Sequence, residues 1–187
     1  MAASLGDKED GELMGMTALV IVDAQAGMFE EPEPVHAGDR LLKTLAGLLG
    51  RAREAGAPVV CIQHCGPAGS RLAKGSPGWS VHPRIAPVAG DIVVAKNEPD
   101  SFQGTDLDEQ LRKRGVTRLV VGGIATEYCV DTMVRAAFGR GYRVVLAADG
   151  HSTWDGEVLT AEQAVAHHNH VLLRFGGVMP AADVQFT

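Results

Sequence analysis

The chain has 187 residues, 45% of them hydrophobic, which is the size and apolar content of one folded domain. Its 17 basic residues against 23 acidic ones leave a formal charge of -6, so no basic field awaits a phosphate backbone and nucleic acid is excluded as a partner. No apolar run approaches the roughly 20 residues that cross a bilayer as a helix, so a membrane partner is excluded too.

Residues 1–15, MAASLGDKEDGELMG, mix charge with glycine and lack an apolar signal core. They read as a flexible leader of a cytoplasmic protein, ahead of a single domain over residues 16–187. Short β-branched runs then alternate with amphipathic segments, the pattern of βαβ units on a parallel sheet. Strands are predicted at Thr17 to Asp23, Pro58 to His64, Asp91 to Lys96, Arg118 to Gly122 and Tyr142 to Ala148, with a weaker sixth near Val178. Between them, the segment from Asp39 to Glu54 places Leu41, Leu42, Leu45, Leu48 and Leu49 on one helical face and stops at Gly56 and Pro58. Thr105 to Arg114 opens on a hydroxyl cap and acidic residues, ends basic and meets Gly115. Glu127 to Arg140 and Leu159 to about Leu173 complete the helices. Residues 65–90 are rich in Gly and Pro and have no period; a loop of that length inside a compact domain points to function or to a lid.

In an open parallel sheet every strand delivers its C-terminal end to one edge, where ligands bind. At those ends stand Asp23, closing LVIVD, and Lys96, closing IVVAK, while LVVGG runs through IATEY into Cys129 at a helix start. With Thr126 as N-cap, Cys129 falls in the first turn, where unpaired N–H groups and the macrodipole favour an anion. A thiol there, beside a cation such as Lys96, is expected to drop from about 8.5 toward roughly 3.5–7.5. Asp23 would take the thiol proton and later pass it to a leaving amine. The three cysteines, Cys61, Cys65 and Cys129, are an odd number in a chain without an export signal, so disulfides are not expected. Taken singly, a strand-end Asp can cap a turn, a Lys can be solvated and a Cys can be inert core; the joint placement is what points to chemistry. The turn after the first strand, DAQAGMF, lacks the G-x-G-x-x-G of dinucleotide binding, and no P-loop is present. A receiver-type phosphoacceptor would need a further Asp at a middle strand end, where His64 stands.

The strings VDAQ around Asp23, AKNEPDSFQGTDLDEQLRKRG after Lys96 and GGIATEYCVDTMVRAAFGRGYRV around Cys129 resemble the isochorismatase-like cysteine hydrolases, over about Thr17 to Leu173. The resemblance implies a three-layer α/β/α, Rossmann-like fold with a six-stranded, mainly parallel sheet, in a homodimer or higher homo-oligomer. It implies a catalytic triad with Cys129 as nucleophile, Asp23 as general base and acid, and Lys96 as support for the thiolate. It also implies a cis peptide between Ile124 and Ala125, and an oxyanion hole formed by the N–H groups of Ala125 and Cys129. The activity implied is hydrolysis of a C–N bond in a small amide, ureide or lactam through a thioester, without a cofactor. Alternatives are vinyl ether hydrolysis of the isochorismatase kind and a non-catalytic binding protein on the same fold.

Nicotinamidases of this family hold a metal with an Asp and two His after the second strand. CIQHCGPAGSRL offers only His64 and Cys65 there, so no metal is expected, and His64 reads as a residue packed at a strand end. Five of the nine aromatic residues, Phe29, Trp79, Phe102, Tyr128 and Trp154, fall near strand ends. The first four are the candidate pocket lining, with core packing the competing reading for Phe29 and Phe102. Glu30, Glu31, Glu33, Glu98, Asp100 and Glu127 follow the triad positions; carboxylates ringing the crevice would favour a cationic substrate, such as a basic lactam.

Overall fold

The computed structural model describes residues 15–186. The expected leader therefore lies outside the described residues except for Gly15. Six strands form one sheet: β1 (Met16–Val22), β2 (Val59–His64), β3 (Ile92–Lys96), β4 (Val116–Ile124), β5 (Arg143–Ser152) and β6 (Gly177–Met179). Their order is β3-β2-β1-β4-β5-β6, and every ladder between neighbours is parallel. Four helices connect them: α1 (Gly38–Glu54), α2 (Leu107–Lys113), α3 (Asp131–Gly139) and α4 (Ala161–Val171). No helix of the described residues is long and apolar enough to cross a membrane.

The central strands are apolar on both faces because both are covered. Ala18, Val20 and Val22 of β1 pack with Leu107 and Leu111 of α2 and Met133, Val134 and Ala137 of α3. Leu19 and Ile21 pack on the other side with Leu41, Leu42, Leu45, Leu48 and Leu49 of α1, the leucine face that the sequence displays. Outside that centre, β3 is an edge strand and alternates: Ile92, Val94 and Lys96 are buried while Val93 and Ala95 are exposed. Lys96 thus takes its inward direction from strand parity.

Several boundaries moved, each for a local reason. The hydroxyl of Thr105 turns back to the Ser101 carbonyl, and α2 starts two residues later at Leu107. Helix α4 starts at Ala161 because Thr160 and Gln163 form a reciprocal capping box, a pattern legible in TAEQ. The helix expected from Glu127 opens with a π-helical turn over Thr126–Val130 before α3 begins. Thr126 does not cap it: Ala125 holds the cap position and the Thr126 hydroxyl is engaged with His151.

The chain leaves β1 toward β2 and β3, then returns across it to β4, so the crevice between β1 and β4 is the topological switch point. Glycine is required where those two strands meet. Gly123 has φ 133, and a Cβ there would sit 2.0 Å from the Val22 carbonyl oxygen. Gly50, inside α1, has nothing within 4 Å of such a Cβ. Gly123→Ala should therefore cost at least about 3 kcal/mol, lowering Tm by roughly 6–12 °C, whereas Gly50→Ala should hold or raise Tm by thermal melting.

Candidate active site

Asp23 leaves β1 with φ 48, a left-handed conformation that Asp tolerates better than branched residues, and its N–H donates to the Ile62 carbonyl at 3.1 Å. This bend keeps a carboxylate at the strand end buried, at 1% exposure. Lys96, also 1% exposed, lies in register with His64 on β2, and its stem reaches past β2 to β1. Its ammonium stands 2.8 Å from Asp23 Oδ2 and 3.2 Å from Cys129 Sγ, and it donates to the Glu98 and Pro99 carbonyls at 3.0 and 3.4 Å. Cys129, in the π-turn, is the half-buried member of the three and their opening toward solvent. Acid, base and thiol from three separate strand ends thus converge within hydrogen-bond reach.

The electrostatics reverse one expectation. Burial and the adjacent Asp23 carboxylate push the Cys129 thiol up to about 12, overriding the pull of Lys96. A lowered value was expected from the helix start and the cation, but desolvation and a like-signed neighbour outweigh both. The resting sulfur is therefore a thiol, with the Asp23 carboxylate as its like-signed neighbour. Burial works against the Lys96 ammonium, yet Asp23 and Cys129 raise its pKa overall, so it stays charged.

The long loop is tied to this edge by residues given no role from sequence. Gln25, fully buried, donates from its amide to the carbonyls of His64 (3.0 Å) and Trp79 (2.7 Å) and accepts from the His64 N–H. Gln63 donates to the same Trp79 carbonyl at 2.9 Å. The Ala26 N–H donates to the Ser80 carbonyl, and the His82 N–H to that of Ala24. Gln25 belongs to the VDAQ string, and its place two residues beyond a strand-end acid was the available signal. His64 lies beside Lys96, and burial followed by that ammonium lowers its pKa; among the described residues no group of three His, Cys, Asp or Glu stands ready for a metal ion.

The aromatic candidates divide. Tyr128 is 62% exposed beside Cys129, and Trp79 is half-buried where the loop is anchored. Phe102 lies in the core, with Tyr142 stacked on it and the Arg140 guanidinium 4.4 Å from its ring centroid. Phe29 packs edge-on to His82, in a cavity shared with Pro34, Val35 and Leu42. Trp154 donates to the Glu33 carbonyl and lines a groove with Pro32 and Pro34.

The Isochorismatase domain family matches residues 17–183. The chain belongs to the isochorismatase family. It is 40% identical over 155 residues to a streptothricin hydrolase from Streptomyces noursei, covering 83% of this chain and 62% of that protein's length. It is 45% identical over 78 residues to the ureidoacrylate amidohydrolase RutB from Methylobacterium radiotolerans, covering 42% of this chain and 30% of the relative. An isochorismatase structure from Pseudomonas putida superposes with a TM-score of 0.85 at 31% identity, covering 90% of each chain. The chain spans less than two thirds of the length of the streptothricin hydrolase it matches.

Because burial and Asp23 leave this thiol protonated at rest, alkylation of Cys129 by iodoacetamide should keep rising past pH 9.5 with no plateau near the usual ~8.5. Peptide mapping of the Cys129 adduct against pH tests this, and a plateau below pH 8 would restore the preformed thiolate.

Proposed function

We propose that the chain is a cysteine hydrolase that cleaves a C–N bond of a small amide, ureide or lactam by way of a thioester. The observation that carries this reading is the pair of contacts made by one buried ammonium: Lys96 Nζ stands 3.2 Å from Cys129 Sγ and 2.8 Å from Asp23 Oδ2. A binding protein has no use for a buried acid, base and thiol in mutual contact. The names of the streptothricin hydrolase and ureidoacrylate amidohydrolase relatives support the bond type.

On this reading the reaction proceeds in two stages. As Sγ attacks the carbonyl carbon, its proton passes to Asp23 and the carbonyl π pair moves to oxygen. That oxyanion is held by the N–H groups of Ala125, at the end of β4, and Cys129, in the first turn. The tetrahedral adduct collapses, the C–N bond breaks and Asp23 protonates the leaving nitrogen, leaving a thioester. Water then gives a proton to Asp23 and attacks; the acid product departs and Sγ regains its proton. Lys96, touching both the sulfur and the carboxylate, stabilises negative charge on whichever holds it. Cys129→Ala should lose at least ~10³-fold in kcat, the scale of nucleophile removal in related chemistry, with Tm close to wild type. Retention of a tenth of the turnover on a panel of amides, ureides and lactams would overturn the covalent route.

The rim favours a basic substrate. Glu30, Glu31, Glu33 and Glu98 are exposed, whereas Asp100 is turned to Arg140 and to the Phe102 N–H, and Glu127 accepts from the Thr153 hydroxyl. Arg71 of the long loop donates to the carbonyls of Glu30 and Glu33, which tempers that side of the field. With the remaining carboxylates, kcat/KM for matched amides should rank cation above neutral above anion, and the spread should narrow at high salt. A preference for the anion, or a cation rate indifferent to salt, refutes it.

A further inference from the structure

The turn that carries Cys129 is held by a closed chain of side-chain hydrogen bonds from two other elements. Asn169 on α4 donates from Nδ2 to the Ala148 carbonyl at 3.0 Å, which fixes its amide, because a carbonyl can only accept. Its Oδ1 then faces His151 Nε2 at 3.0 Å, so that nitrogen carries the proton. His151 Nδ1 is left as an acceptor, and the Thr126 hydroxyl, 2.9 Å away, donates to it. Burial lowers the pKa of His151 and keeps the ring neutral, the form this chain of donors requires. Thr126 is fully buried and His151 is 4% exposed, so the bond between them is shielded from solvent.

Thr126 is also the first residue of the π-turn. Directly before it, the Ala125 carbonyl accepts from both the Tyr128 and Val130 N–H groups at 3.1 Å, so the turn closes around one oxygen. A π-turn carries an extra residue relative to an α-helical turn and seldom holds its shape unaided. Its direction here is set by the Ala125 carbonyl on the backbone and by the Thr126 hydroxyl on the side chain. Three residues after Thr126, that direction decides whether Sγ meets Lys96 and Asp23.

We propose that His151 and Asn169 are positioning residues that orient the nucleophile turn through the Thr126 hydroxyl. They touch no reacting atom; they fix where Cys129 points. The proposal rests on the reading of Cys129 as nucleophile, but it makes a claim about sulfur placement that turnover does not need to report.

Iodoacetamide alkylation of Cys129, followed against pH by peptide mapping, reads that placement. In the native turn the thiol is held up near 12 by burial and by Asp23. Released from them, it should titrate near its ordinary ~8.5. Thr126→Val, which keeps shape and removes the hydroxyl, should alkylate at pH 8.5 at least tenfold faster than wild type and level off near pH 9. His151→Leu and Asn169→Leu should shift the same way, and Thr126→Ser, which restores the donor, should return the wild-type profile. A folded Thr126→Val protein with the wild-type profile overturns the proposal, as does a Thr126→Ser profile no different from Thr126→Val. If Thr126→Val does not fold, Asn169→Leu, on a half-buried helix face, decides on the same criterion. Full turnover by Cys129→Ala would instead remove the catalytic reading and leave the positioning result standing.

Discussion

A lysine and an aspartate buried against one another govern the rest of this molecule. Removing two such charges from solvent costs several kcal/mol per ion, and their attraction offsets this only if the geometry is close and the remaining donors are satisfied. Here Lys96 has the Asp23 carboxylate, the Cys129 sulfur and two carbonyls around three N–H donors. A chain that ended any of these strands one residue early would bury an unpaired charge. The sheet register, the left-handed bend at Asp23 and the glycine contact between β1 and β4 can all be understood as conditions for that meeting.

The same low-dielectric setting explains why the sulfur does not wait as an anion. A third formal charge, negative and beside Asp23, would have only one cation to share. In the proposed mechanism, proton transfer during attack avoids that state, since negative charge moves from carboxylate to substrate oxygen without a second anion accumulating in the pair. The half-buried face of Cys129 is the part of this cluster that reaches solvent.

The fold was legible because its signals are periodic or punctuated. The leucine face of α1, the β-branched strands and the glycine stops at Gly56 and Gly115 each express a local preference that packing agrees with. The meeting of Asp23, Lys96 and Cys129 was legible because parallel strands deliver their ends to one edge, so position in the chain converts to position in space. What the sequence did not display was contact across elements. Nothing in AADGHSTW tells that the His151 ring lies between a threonine and an asparagine from two other elements, or that Thr126 spends its hydroxyl there instead of on a helix cap. Phe102 shows the converse: a residue near a strand end whose ring faces are taken up by Tyr142 and Arg140 inside the core. The sulfur's acidity is hidden from the sequence for the same reason, since the degree of burial is a tertiary quantity.

The attachment of the long loop carries a further consequence. Residues 65–90 hang from the sheet chiefly through backbone carbonyls and N–H groups, with Gln25 and Gln63 gripping the carbonyl of Trp79 rather than its ring. An anchor that grips main chain does not read side-chain identity. The loop's side chains can therefore be exchanged while its backbone path is kept, and Asp23, Lys96 and Cys129, which belong to strand ends and a separate turn, need not move. The loop and the three residues that meet at the sheet edge are thereby carried on different segments of chain, so the sequence of one can change without displacing the other.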